Sequence, residues 1–166
     1  TAVSVTANQA MNYLTTGTPP GRTGNYHPNL TPYQTFEVKD GHIIIATGND
    51  PQYQRLCRLL GLGEMAEAPE FLTNQDRIAN REEMTRRLAA ACMGFTRGEL
   101  LAACEAEGVP AGPINRMDDV FADPHVKARE MQIELDGIPG VRAPFRFSGA
   151  DLALHRPSPK LGEDNG

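Results

Sequence analysis

Apolar and polar residues are most clearly patterned in the stretch 33–47, where two apolar runs flank a tight turn. The first run covers residues 33–38, and the second, over 42–47, is a continuous segment rich in β-branched side chains. Lys39-Asp40-Gly41 lies between them, and glycine supplies the positive φ that such turns need. The pattern therefore predicts a β-hairpin whose second strand is buried in a sheet.

A helix is predicted directly after this hairpin, over residues 51–60. Tyr53 and Leu56 lie on its apolar face, and Gly61 ends it. Asp50 precedes Pro51, and a short polar side chain before an early proline is typical of a helix N-cap. We therefore expect the carboxylate of Asp50 to cap this helix.

Periodicity predicts several more helices and a second pair of strands. Helices are expected at 2–14, 73–93, 96–107, 117–121 and 124–129, an extended segment at 109–114, and strands at 131–135 and 141–148. Helices and strands mix without a regular βαβ alternation. The predicted fold class is therefore α+β, with a short antiparallel sheet and packed helices in a small domain.

The composition is ordinary for a globular protein and excludes some partners. Of the 166 residues, 40% are hydrophobic and 22% are charged, and the net charge is −5. This charge argues against a broad nucleic-acid surface, which needs clustered Lys and Arg. No apolar run approaches the roughly 20 residues of a membrane span, and no signal peptide is visible. We expect a cytoplasmic protein with neither nucleic acid nor membrane as a partner.

The cysteines and histidines do not suggest a metal site. Cys57, Cys92 and Cys104 are far apart, odd in number, and placed in apolar helical contexts. Buried free thiols in a reducing compartment are the expected arrangement. There is no CxxC pair, and the histidines lack ligand spacing, so no structural metal is predicted.

The chain begins with Thr1 inside a helical pattern. We expect it to be a fragment of a longer protein.

A series of short motifs follows in order along nearly the whole chain. They are Asn8-Gln9; Gly17, Pro19, Pro20, Arg22, Gly24, Asn25, His27, Pro28 and Asn29; Pro32, Tyr33, Gln34 and Phe36; Asp40-Gly41; Gly48 to Gln52; Phe71, Asn74, Arg77, Asn80 and Arg81; Gly108 to Asn115; Asp123 to Arg129; and Leu161 to Glu163. Each motif alone is weak. Their common order and spacing resemble the class III acyl-CoA transferases of the CaiB/BaiF type.

This resemblance implies a domain plan. In such proteins a large nucleotide-fold domain is built from both chain ends, a small α+β domain is inserted, and two chains interlock. By that analogy, residues 1–31 would end the first half of the large domain and form a linker. Residues 32–113 would be the small domain, and residues 114–166 would return to complete the large domain. A homodimer of the full-length protein is expected.

The resemblance also implies the chemistry. An aspartate attacks the thioester of an acyl-CoA donor, which gives a mixed anhydride and then an enzyme–CoA thioester. That aspartate belongs upstream of the residues present here, so no catalytic nucleophile is assigned to this chain. Asp40, Asp50, Asp76 and Asp123 are not candidates for it. Coenzyme A thioesters and carboxylic acids are the expected substrates, with no covalently bound cofactor.

Two positions are candidates for contact with the substrate. Asn25, His27, Pro28 and Asn29 match a mobile, glycine-rich loop that covers the active site in formyl-CoA transferases, although the loop here is not glycine-rich. Asp50 matches an acidic residue that supports the catalytic pair in the racemase branch of the superfamily.

Structural alternatives stand beside both candidates. His27 could simply hydrogen-bond the backbone, Asn25 and Asn29 could serve turns, and Asp50 could only cap its helix. Arg81, Arg86 and Arg87 are expected on a solvated helix face, with the phosphates of CoA as an alternative partner.

Three functions therefore remain open. The leading hypothesis is that the parent protein transfers CoA between carboxylic acids and that this fragment alone is inactive. The second is a 2-methylacyl-CoA racemase, which abstracts a proton α to the thioester. The third is that the isolated chain is a non-catalytic association module.

Overall fold

The computed structural model describes residues 2–163 and 165, which form two compact units. The first unit runs to Ile114, and the second begins at Asn115. The first combines helices with a three-stranded antiparallel sheet, and the second combines short helices with a two-stranded antiparallel sheet. The predicted α+β class, with short antiparallel sheets and packed helices, is confirmed.

The elements of the first unit are α1 (Ala7–Thr16), β1 (Tyr33–Val38), β2 (Gly41–Ala46), α2 (Asp50–Leu59), α3 (Gly63–Glu67), α4 (Asn74–Ala79), α5 (Arg81–Cys92), α6 (Arg97–Ala106) and β3 (Ala111–Pro113). Single 3₁₀ turns at Ser4–Thr6 and Pro69–Phe71 precede α1 and α4. The elements of the second unit are α7 (Met117–Ala122), α8 (Pro124–Ala128), β4 (Gln132–Leu135) and β5 (Ile138–Val141).

The predicted hairpin is confirmed. Strands β1 and β2 are antiparallel, and Val38 pairs with Gly41 across the turn. Gly41 has a φ of 150°, and a Cβ there would lie 3.2 Å from the Cδ of Arg97. Both the backbone conformation and the close approach of Arg97 therefore favour glycine at this position.

A third strand, β3, covers the other edge of β2. Ile43 pairs with Pro113 and Ile45 pairs with Ala111, so β2 is the central strand. Ile43 and Ile45 are fully buried, as the continuous apolar run predicts. The sequence predicts only an extended segment here, because three residues that include Pro113 and follow Pro110 give no recognisable strand pattern.

The core of the first unit lies between the sheet and the helices α2, α5 and α6. These helices contribute buried leucines and all three cysteines to it. Cys57, Cys92 and Cys104 are free and buried, which confirms the prediction for the thiols. Burial raises the pKa of Cys92 to about 12 and that of Cys104 to about 11.

The single helix predicted over 73–93 is wrong. Asn80 interrupts it with φ −111° and ψ 28°, and two helices result. The side-chain amide of Asn80 donates to the carbonyls of Glu70 and Asp76. Asparagine offers the backbone such alternative hydrogen bonds, which is why it ends helices. The first of the two helices begins with a capping box formed by Thr73 and Asp76.

Helix α1 begins later and ends later than predicted, and none of its residues is buried. The apolar spacing that predicts this helix includes Met11 and Leu14, and these side chains are 56% and 71% exposed. The periodic pattern was therefore a correct indication of a helix but not of a buried face.

The second predicted strand of the last pair, over 141–148, is also wrong. Strand β5 lies at Ile138–Val141, and Leu135 pairs with Ile138. Asp136 and Gly137, with φ values of 51° and 76°, form the two-residue turn. Asp-Gly is a strong signal for such a turn, and it sets the register that the alternation of residues 141–148 obscured.

Candidate functional site

The loop of residues 24–31 contains four of the five candidate residues and lies between α1 and β1. Asn25 and Asn29 are exposed, whereas His27 and Pro28 are half-buried. The backbone N–H of His27 donates to the carbonyl of Tyr33, 2.9 Å away, which closes the loop onto the start of β1. We call this segment the 24–31 loop.

The imidazole of His27 organises the turn of the loop. Its Nδ1 accepts hydrogen bonds from the backbone N–H groups of Asn29 and Leu30, each at 3.1 Å. The ring stacks on Tyr33 with 5.1 Å between centroids and 18° between the ring planes. His27 thus makes the backbone contacts that the structural alternative predicted, while its proximity to a substrate stays a prediction.

Asn29 joins the loop to the rest of the first unit through two other asparagines. Its side-chain amide exchanges two hydrogen bonds with that of Asn12 on α1, at 2.9 and 3.1 Å. Its backbone carbonyl accepts from the Nδ2 of Asn74 at 2.8 Å, and the Oδ1 of Asn74 accepts from the N–H of Thr31 at 3.1 Å. Asn74 therefore holds the backbone on both sides of Leu30.

Arg81 holds the middle of the loop. Its Nη2 donates to the carbonyl of Pro28 at 3.1 Å, and its guanidinium lies 4.5 Å from the centre of the Tyr26 ring. Burial lowers the pKa of Arg81. The expectation that Arg81 lies on a solvated helix face is therefore wrong, whereas Arg86 and Arg87 pair with Glu83 on the surface of α5.

Asp50 does not cap α2, contrary to the prediction. Asn49 is the N-cap, and its Oδ1 accepts from the N–H of Gln52 at 3.0 Å. Asp50 is the first helical residue, where the positive end of the helix dipole also favours a carboxylate. Since both residues are short and polar, their order before Pro51 does not decide which one caps.

The carboxylate of Asp50 pairs instead with a buried arginine. Arg77 is 1% exposed, and its Nη2 donates to the Oδ1 of Asp50 at 2.7 Å. The Nε donates to the carbonyl of Thr31 at 2.9 Å, and Nη1 donates to those of Phe71 and Leu72 at 3.0 and 3.1 Å. Arg77 therefore connects Asp50 to the end of the 24–31 loop.

Sequence reasoning missed the roles of Asn74, Arg77 and Arg81, which we call the loop clamp. These residues are three and four positions apart, which would place their side chains on one face of the single helix predicted over 73–93. In the structure Asn80 separates Arg81, on α5, from Asn74 and Arg77, on α4. That spacing was the available signal. It was obscured because arginines on helices are usually solvated, and because the acceptors in the 24–31 loop are distant in sequence.

The clamped loop is built to hold one conformation. Side-chain hydrogen bonds tie the second half of the loop, at the carbonyls of Pro28, Asn29 and Thr31, and Pro28 further restricts the chain. Beside it lies a cleft of about 560 Å³, lined by Tyr26, Asn80, Arg81 and Glu83 among others. Within the described residues, no three His, Cys, Asp or Glu side chains lie together in a way that could hold a metal ion. No helix of the described chain is long and apolar enough to cross a membrane.

Comparison with known proteins decides the family. The profile of CoA-transferase family III matches residues 1–165. The chain belongs to CoA-transferase family III. The resemblance to the CaiB/BaiF type, drawn from the motifs, is thereby confirmed.

Relatives of this CoA-transferase family III chain include enzymes named for dicarboxylates. It is 46% identical over 165 residues to the succinate–glutarate CoA-transferase of Agrobacterium fabrum, covering 96% of this chain and 41% of that protein. It is 33% identical to the succinyl-CoA:glutarate CoA-transferase of Homo sapiens, covering 97% of this chain and 38% of that protein.

A solved structure of a CaiB/BaiF family protein from Brucella suis matches with a TM-score of 0.85 and 54% identity. The match covers 96% of this chain and 42% of the Brucella protein. The chain thus spans less than half the length of each of these relatives.

Proposed function

We propose that this chain is part of an enzyme that transfers coenzyme A between carboxylic acids. The observation that carries the proposal is the family match over residues 1–165, together with relatives that are named as CoA-transferases. We further propose that the nucleophile is an aspartate outside these 166 residues. It attacks the thioester carbonyl of the donor, and CoA leaves as its thiolate. The thiolate then attacks the aspartyl carbonyl of the mixed anhydride, which releases the donor's carboxylate and forms an enzyme–CoA thioester. The acceptor carboxylate attacks this thioester, and the CoA thiolate that leaves takes the acceptor's acyl group from the second anhydride and frees the aspartate.

The hydrogen bonds of four aspartates support an external nucleophile. Asp40 accepts from the N–H of Arg97, Asp50 from Arg77, Asp76 from Thr73, and Asp123 from the N–H of His125. Each carboxylate therefore satisfies a helix end or a buried cation. An attacking carboxylate would have to leave such a partner, at a cost in the stability of the fold.

We propose that the 24–31 loop borders the substrate, with Asn25, His27, Pro28 and Asn29 near the acyl group. In this proposal Asp50 does not move protons itself. Its carboxylate neutralises Arg77, and Arg77 fixes the end of the loop. The rigid attachment of the loop supports a fixed wall of the site and disfavours a lid that opens on flexible hinges.

Succinate and glutarate are the first acids to test, because the relatives named above carry those acids in their names. The purified protein that contains this chain is incubated with succinyl-CoA and radiolabelled glutarate, and labelled glutaryl-CoA is measured. The same protein is then incubated with a 2-methylacyl-CoA in D₂O. Transfer without deuterium uptake supports the proposal, whereas uptake at the α-carbon without transfer supports a racemase and overturns it.

The 166-residue chain alone is proposed to be an association module without activity. The exposure of most of helix α1 supports this, since no residue of the helix is buried within the described part of the chain. In the same proposal residues 1–31 and 114–166 belong to a large nucleotide-fold domain, residues 32–113 are the small domain, and the full-length protein is a cytoplasmic homodimer. Turnover by the isolated chain, or a monomeric full-length protein in light scattering, would contradict this.

A further inference from the structure

The hydrogen bonds of His27 determine where its ring proton lies. Nδ1 accepts from the N–H of Asn29 and from the N–H of Leu30, both at 3.1 Å. A ring nitrogen that accepts hydrogen bonds carries no proton, so in a neutral imidazole the proton is on Nε2. In an imidazolium Nδ1 would also carry a proton. This N–H would point at the backbone N–H groups of Asn29 and Leu30, which are donors as well. The observed loop therefore requires neutral His27 in the Nε2–H form.

The direction of this N–H is fixed as well. The ring stacks on Tyr33 with 18° between the planes, and the backbone of His27 is bonded to the carbonyl of Tyr33. Arg81 and Asn74 hold the next residues of the loop, at the carbonyls of Pro28 and Asn29. A rotation of the imidazole would break both hydrogen bonds to Nδ1.

The Nε2–H group makes no hydrogen bond within the described part of the chain. His27 makes no other side-chain hydrogen bond among residues 2–163 and 165. Nε2 is also not among the polar atoms that are sealed from solvent without a partner, in contrast to the Nη1 of Arg81. The Nε2–H donor is therefore accessible, and the two hydrogen bonds to Nδ1 fix its direction.

We propose that the Nε2–H of His27 donates a hydrogen bond to an oxygen of the transferred acyl group. This inference rests on the proposed function and deepens it, because it names the chemistry that the 24–31 loop recognises. The acceptor is an oxygen of a carboxylate or of a thioester carbonyl. A neutral, preoriented donor stabilises negative charge on oxygen without the cost of reorienting itself during the reaction.

Two substitutions test the roles of Nδ1 and Nε2 of His27 separately. In His27→Asn the side-chain oxygen can take the place of Nδ1, and the donor at Nε2 is lost. In His27→Gln the amide nitrogen can reach the position of Nε2, and the acceptor at Nδ1 is lost. His42→Asn is the matched control, because His42 is an exposed residue on β2. All three variants are made in the protein that contains this chain.

The kinetic measurement is CoA transfer with succinyl-CoA and glutarate. For His27→Asn we expect a melting temperature lower by only a few degrees, from the lost stacking on Tyr33, and a loss of about 10-fold in kcat/KM, the effect of one hydrogen bond to a charged group. A rise in KM for the acid, with kcat unchanged, indicates that the N–H binds the carboxylate of the acid. A fall in kcat indicates that it binds the carbonyl oxygen of the thioester. For His27→Gln we expect retained donation but faster amide exchange at Asn29 and Leu30.

The tautomer is measured directly by NMR of protein labelled with nitrogen-15 in its histidines, with His27 assigned from its absence in His27→Asn. A protonated Nε2 and an unprotonated Nδ1 support the inference, and the reverse tautomer overturns it. Transfer by the wild type that is unchanged in His27→Asn overturns the inference but leaves the proposed function intact. Absence of transfer by the wild type overturns the proposed function, and the inference falls with it.

Discussion

Asp50 and Arg77 lie 27 residues apart in sequence and meet at 2.7 Å, with the arginine buried and the carboxylate 46% exposed. The two partners differ in burial, and this difference defines the role of each. Arg77 satisfies backbone carbonyls that would otherwise lack a donor, and Asp50 supplies the counter-charge at the edge of the solvent. The pair therefore links the start of α2, the turn before α4 and the end of the 24–31 loop.

Arg77→Met is expected to destabilise the protein by about 3 kcal/mol, since it leaves the buried carbonyls of Thr31 and Phe71 unpaired. Asp50→Asn retains an acceptor for Nη2 and should cost only about 1 kcal/mol. The free energy of unfolding in urea measures both effects. Arg86→Met is the control, because Arg86 lies on the exposed surface of α5, and it should change stability by less than about 0.5 kcal/mol. Equal losses for Arg77 and Arg86 would contradict this account of the buried pair.

Asn74→Ala should loosen the loop without unfolding the protein. The N–H of Thr31 loses its acceptor, and we expect its hydrogen exchange to accelerate by about 10-fold, as the loss of one hydrogen bond implies. Asn74→Asp keeps the oxygen that accepts from the N–H of Thr31 but loses the Nδ2 donor to the carbonyl of Asn29, so it should protect Thr31 better than Asn74→Ala does and less well than the wild type. Hydrogen–deuterium exchange with mass spectrometry resolves this segment. Exchange at Thr31 that is as slow in Asn74→Ala as in the wild type would show that the side chain of Asn74 does not hold the loop.

The three thiols should be unreactive in the folded protein. Burial raises the pKa of each of them, to about 12 for Cys92 and about 11 for Cys104, so that little thiolate exists at pH 8. Titration with Ellman's reagent is expected to detect no thiol in native protein and all three in guanidinium. A fast-reacting native thiol would mean that one of these helices opens readily.

Glu83 should contribute to stability in a defined acid range. Hydrogen bonds from Arg86 and then Arg87 lower its pKa from 4.5 to about 2. Because the folded pKa is the lower one, the contribution is present above the unfolded pKa and is lost as the pH falls through the folded pKa. Glu83→Gln should therefore be less stable than wild type above about pH 5, with the difference disappearing towards pH 2.

The matched control for this experiment is Glu82→Gln. Glu82 is the neighbouring carboxylate on α5, and it has no ion pair among the described residues. We expect the urea-unfolding free energies of this variant to follow those of the wild type across the same acid range. A pH-independent difference between wild type and Glu83→Gln would exclude the ion pairs as its cause.

The sequence predicted the parts of the fold that local patterns control. The turn at Gly41 was found because its signal lies within three neighbouring residues. The break at Asn80 was missed because it depends on the carbonyl of Glu70, ten residues away. Strand β3 was missed because its three residues are a strand only when paired with β2.

The candidate site was predicted less completely. The loop residues were recognised from a motif, and the backbone hydrogen bonds of His27 were anticipated as one alternative. The burial of Arg77 could not be inferred, because its acceptors lie up to 46 residues away and become neighbours only in the folded chain. Asp50, and not Asn49, was predicted to cap α2 for a similar reason, since only the fold brings Arg77 to Asp50.

Strand β3 has a consequence for how the protein behaves at high concentration. It is an edge strand of the first unit's sheet. Pro113 is one of its three residues, and Pro110 immediately precedes it. Proline has no N–H to offer, and three residues provide too short a template for a neighbouring molecule to extend the sheet. The prolines and the shortness of β3 therefore disfavour fibril growth by strand addition at this edge of the sheet.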